Sequence, residues 1–122
     1  MNHKLKSFLL WAAAGLLALA FFGAGVTKLL GVQMQLDNLK SWGYPAWFRF
    51  PIGLSEIGLA LLLLLPRTRR LAAFLVYPWA LVAIATHVQA GQYNQLGAAI
   101  LFAVLASVVR WLDRSSPKTL AV

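Results

Sequence analysis

Three ionisable side chains stand where a strongly apolar chain has least use for them: Lys28, Glu56 and His87. Glu56 is the sharpest case. It lies in FPIGLSEIGLALLLLLP, residues 50–66, among residues that are apolar or small apart from Ser55 and the two prolines. If this segment crosses a bilayer, a charge within it costs about 2.5–3.5 kcal/mol on insertion scales, so the carboxylate must face something other than lipid. Its helical neighbours at i−3, i+3, i+4 and i+7 are Gly53, Leu59, Ala60 and Leu63. The small members of that stripe let a second backbone come close, and Arg49 lies two turns earlier on it. A carboxylate, an ammonium and an imidazole gathered in a low dielectric could hold a small polar ligand, a quinone head group or a proton. Glu56 or His87 could protonate a carbonyl oxygen while the other tunes its proton affinity through burial and charge. The plainer alternative is structural: Glu56 paired with Lys28 or Arg49 fixes helix register, and His87 is an interfacial residue bonded to its turn.

Other chemistries find no residues. The sequence has no cysteine, which removes disulfides, thiolate metal sites, iron–sulfur clusters and cysteine redox chemistry. One inner histidine and one carboxylate are too few for a dedicated zinc or non-haem iron site, so no metal ligands are assigned. No Ser–His–Asp arrangement, nucleotide-binding glycine motif or pair of mid-span histidines is present. No catalytic residue is assigned, and enzymatic activity of the chain stays an open question at this stage.

The elements that must position these groups are membrane helices. The 122 residues suit one domain, and 61% of them are hydrophobic, far above the roughly 45–50% of soluble domains. Mean hydropathy is +0.73. Uncharged runs place spans at about 8–27, 50–65, 71–87 and 96–111, which predicts an all-α polytopic membrane protein, a four-helix bundle in the lipid bilayer. The first run follows Lys4 and Lys6, as a secretory signal would, but it is longer than the usual h-region and shows no convincing cleavage site, so it is read as a span. Between the first two spans, Leu29, Leu30, Met34, Leu36, Leu39 and Trp42 recur at helical spacing. They predict a short interfacial helix over about 32–42, closed by Gly43-Tyr44-Pro45 and an aromatic belt of Trp42, Tyr44, Trp47 and Phe48. Pro78 removes one hydrogen bond from the middle of the third span and predicts a kink there.

The net charge of +8 points to orientation rather than to nucleic acid, because the cations lie between apolar runs. Alternating the sides collects Lys4, Lys6, Arg67, Arg69, Arg70, Arg110, Arg114 and Lys118 on one face and leaves Lys28, Lys40 and Arg49 on the other. Positive-inside bias then predicts an inner-membrane protein with both termini in the cytoplasm. Lys28, Glu56 and His87 fall in the outer half, beneath a rim of Thr27, Trp42, Gln89, Gln92, Tyr93 and Asn94.

Residues 21–29, FFGAGVTKL, residues 53–66, GLSEIGLALLLLLP, with the basic turn behind them, and His87 together resemble the DoxX and DoxX-like family of small four-helix membrane proteins. The likeness runs from about Phe8 to Trp111. It implies that Lys28, Glu56 and His87 occupy the family's polar positions. Some members resemble the membrane subunit of a thiosulfate:quinone oxidoreductase and others are linked to complexes handling oxidative or thiol stress. The resemblance thus implies a quinone-contacting subunit, with quinone as the cofactor to consider and a membrane or peripheral oxidoreductase as partner. A thiol relay would need a cysteine pair that this sequence lacks. A small-solute or proton pathway opening outward, a purely structural scaffold, and a homo-oligomer are the other expectations carried forward.

Overall fold

The computed structural model describes residues 2–114, with no side chain described for Arg114. Lys118 of the expected inner cluster lies outside the described residues. Five α-helices follow in order: α1 His3–Leu30, α2 Gln33–Trp42, α3 Arg49–Leu64, α4 Arg69–Gln89 and α5 Leu96–Arg114, with single 3-10 turns at Ala46–Phe48 and Tyr93–Gln95. Four segments, His3–Leu30, Ala46–Leu64, Arg69–Gln89 and Tyr93–Asp113, are long and apolar enough to cross a membrane. The chain is an all-helical, multi-pass membrane protein.

Local chemistry sets the ends. Asn2 caps α1, its Oδ1 accepting from Lys4 N at 2.6 Å. Gly31 ends the helix in the left-handed region at φ 70°, with Gly31 N donating to Lys28 O and Val32 N to Thr27 O, each at 3.1 Å. Gly43 stops α2 in the same way at φ 82°. α4 and α5 outrun the spans read from the sequence, because the backbone ladder continues through Arg69 and Asp113, which are charge partners across the bundle. Arg69, read from the sequence as part of the basic turn between two spans, opens α4 and is buried. Its Nε donates to Leu63 O at 3.0 Å, its guanidinium lies 4.2 Å from the centre of the Trp11 ring, and Asp113 is its charge partner. Pro78 is accommodated inside α4 without ending it.

Around the bundle the order is α1, α3, α4, α5, with α1 against α3 and α4 against α5 as the extensive pairings and α3 against α4 the slighter one. The buried core is built from Leu10, Ala14, Leu17 and Phe21 of α1, Ala60 and Leu63 of α3, Ala72 and Val76 of α4, and Ala106 and Val109 of α5. So many alanines permit close approach, which is how helices gain packing energy where the surroundings are as apolar as they are. Leu16, Leu19, Leu81 and Val82 turn outward, as a lipid-facing surface requires.

Candidate functional site

The closest approach of two helices positions the charged pair. A Cβ built on Gly25 would lie 2.6 Å from Gly53 O, and one built on Gly53 would lie 2.9 Å from Gly25 O. The two glycines therefore let α1 and α3 touch backbone to backbone, in opposite directions. Lys28 and Glu56 each follow their glycine by three residues, about 4.5 Å along their own axes on either side of the crossing. Each Cα–Cβ bond tilts toward its own helix N-terminus, so on antiparallel helices the two side chains lean toward one another. Lys28 Nζ reaches Glu56 Oε1 at 3.0 Å, with side-chain exposures of 8% and 2%. The rotatable ammonium is within donating distance of that oxygen and is its charge partner. The Trp79 indole lies against the same carboxyl.

This pair forms part of the wall of a cavity of about 320 Å³. Apolar walls come from Ala24, Ile52, Val82 and Ala83, while Gln35, Asn38 and Trp42 of α2 cover it on one side and Thr86 and His87 of α4 on the other. The rim is a hydrogen-bonded ring. Gln92 Oε1 accepts from Trp42 Nε1 at 2.7 Å and pairs with His87 Nδ1 at 2.9 Å. An amide oxygen only accepts, so with this amide orientation the Nδ1 nitrogen carries the proton. Tyr44 and Thr86 bond hydroxyl to hydroxyl at 2.6 Å. Gln35 Nε2 donates to Thr27 Oγ1 at 2.8 Å, fastening α2 over the end of α1. Beneath the cavity, Phe21, two turns inward from Lys28, packs edge to face on Trp79 at 4.7 Å and against Phe102 at 5.7 Å.

Of the residues singled out from sequence, Lys28, Glu56, His87 and Trp42 line one cavity. Thr27 and Gln92 brace its rim through the hydrogen bonds above without lining it. Arg49 goes elsewhere. Its guanidinium packs against Gly31 and lies 4.6 Å from the centre of the Phe50 ring, where it meets the C-terminal end of α1, a favourable place for a cation. Gln89 and Tyr93 are exposed and stand outside the cavity, since Gln89 is two residues past His87 and so faces away from it around the helix.

Several lining residues were missed. On α2 the inward face keeps Leu39 and Trp42 of the apolar series followed in the sequence and adds Gln35 and Asn38, which were missed; the i, i+3, i+7 spacing of Gln35, Asn38 and Trp42 was the available signal. On α4, Ala80 and Ala83 lie at i−7 and i−4 from His87, the small-residue face that does turn inward, while Trp79 and Thr86 beside it were missed.

A model described as the DoxX-like family matches residues 12–109 of this chain. No curated protein and no solved structure matches it.

Proposed function

We propose, for a chain that belongs to the DoxX-like family, that the cavity around Lys28 and Glu56 receives a quinone head group and that the protein serves as the quinone-contacting membrane subunit of a redox system. One observation carries the reading: a buried ion pair set in the wall of a cavity whose apolar sides, Ala24, Ile52, Val82 and Ala83, face a polar cover that includes Gln35, Asn38 and His87. A quinone asks for an apolar ring bed with a donor at each carbonyl oxygen; the Lys28 ammonium can serve one, and an amide of the cover, Asn38 or Gln35, the other. The lining also includes Val82 and Ser55, both exposed on the surface, which supports entry from the bilayer between α3 and α4. Reduction of the ring takes two electrons and two protons. On this reading the electrons come from a membrane or peripheral oxidoreductase partner, and the protons pass through the ionisable groups of the lining, Glu56, Lys28 and His87. The Phe21, Trp79 and Phe102 cluster below favours a closed pocket over a route across the membrane.

Titrating the purified protein with a short-tail quinone is expected to quench the fluorescence of the lining tryptophans, Trp42 and Trp79. Glu56→Gln is expected to weaken the binding about tenfold or more, as loss of a charged partner in a dry site does. Equal affinity in the folded variant rejects the pocket as the quinone site.

The orientation proposed is inner-membrane with both termini cytoplasmic, which puts the cavity outside. Reporter fusions after Thr68 and at the C-terminus are expected to report the cytoplasm, and a fusion near Gln92 the outer side. A cytoplasmic signal at Gln92 overturns it.

A further inference from the structure

At the opposite end of the bundle from the Lys28–Glu56 cavity, α4 and α5 enclose a second one of about 260 Å³, lined by Arg70, Tyr77, Ser107, Arg110 and Trp111. We propose that this is a binding site for a phosphate-bearing anion, filled by the head group of an anionic phospholipid. The lining offers two guanidiniums and two hydroxyls and no carboxylate. Neither Arg70 nor Arg110 is in an ion pair among the described residues.

The side chains are held for the purpose. Ser107 Oγ donates to Ala103 O at 2.9 Å, so in the 2.8 Å contact between Ser107 Oγ and Tyr77 Oη the tyrosine is the donor. That bond pins α5 to α4 and leaves the lone pairs of Tyr77 Oη free to accept. The Arg110 guanidinium stays close to α4, 5.6 Å from the centre of the Phe74 ring and 5.5 Å from that of Tyr77. Cation–π contact with the two rings holds the guanidinium beside the pocket, and its planar fork of N–H donors suits bidentate contact with phosphate oxygens. Arg70 approaches from the first turn of α4, two turns before Tyr77 on the same stripe.

A lipid fits better than free phosphate because the polar pocket continues into an apolar face. Phe74 on α4 and Val104 and Ile100 on α5 are exposed and run from the pocket toward the middle of the spans, a bed for acyl chains. Arginine-rich pockets between membrane helices recognise anionic head groups by the same chemistry.

The test is native mass spectrometry of the protein from mild detergent, titrated separately with phosphatidylglycerol, phosphatidylcholine and inorganic phosphate. Expected are retention of phosphatidylglycerol over phosphatidylcholine and a loss of about thirtyfold in its affinity in Arg70→Gln/Arg110→Gln, the size of two lost cation contacts near a membrane surface. Arg67→Gln, outside the pocket, is the control and is expected to retain the lipid. Thermal unfolding without added lipid establishes that the variants fold, and Arg110→Lys, which keeps charge but not the planar fork, is expected to show an intermediate loss. Equal retention of both lipids, or phosphatidylglycerol binding unchanged in the folded double variant, overturns the proposal. Phosphate bound at the two arginines without any preference for the anionic lipid overturns its lipid half.

Discussion

Lys28→Met is expected to destabilise the bundle by about 3–5 kcal/mol, the cost of leaving one buried charge without its partner. Exposed ion pairs are worth about 0–1 kcal/mol, but here the side chains retain 8% and 2% of their exposure, so solvent cannot take over the role of the lost cation. The carboxylate cannot turn outward either, because Gly53, on its own stripe one turn away, is pressed against α1. Glu56→Gln removes the charge at nearly constant volume and strands Lys28 instead. Lys28 sits in the last turn of α1, where the carbonyl end of the helix favours a cation, so its loss of partner is expected to cost less. In the double variant both charges are gone, and most of the lost stability is expected to return, since a buried pair is often neutral against an uncharged replacement. Thermal unfolding of the four proteins in one detergent gives the cycle. A Lys28→Met variant as stable as the parent removes the ion pair from any account of this fold.

How far the sequence carried can be seen residue by residue. Glu56 was legible because a charge in an apolar run must find a partner, and Lys28 because it ended such a run behind two small residues. The helices were legible from the same runs, though not their ends. Arg69 was misplaced because hydropathy registers a charge without registering that Trp11 and Asp113 wait for it across the bundle. Arg49 shares the helical stripe of Glu56, yet a shared stripe does not fix where a long side chain goes, and Gly31 offers it a nearer seat. The cavity's far wall was legible only in part. In a membrane the lipid-facing and protein-facing sides differ in residue size more than in polarity, so Ala80 and Ala83 on the stripe of His87 marked the inward side of α4, whereas a bulky residue such as Trp79 carries no such mark.

Gly25→Ala is expected to be the most damaging single-methyl change in the protein. The added Cβ would meet Gly53 O and Ile57 Cγ1, both at 2.6 Å, closer than packed atoms come, and one of these is backbone that no rotamer change can move. α1 and α3 must then separate. Overpacking of this kind costs about 1–3 kcal/mol, and the separation also pulls Lys28 from Glu56, so ligand affinity is expected to fall with stability. Gly53→Ala also meets backbone, Gly25 O, but at 2.9 Å, and its other neighbour, Leu29 Cγ at 3.2 Å, can give way, so a smaller loss is expected. Gly23 and Gly58 lie on the same two helices with nothing within 4 Å of a built Cβ. Their alanine variants are expected to be neutral or to gain up to about 1 kcal/mol from helix propensity. Melting temperatures of the four variants should therefore rank Gly25→Ala below Gly53→Ala, and both below the parent, with the other two at or above it. If all four fall together, glycine acts in these helices through backbone flexibility and the close crossing is not what seats the charged pair.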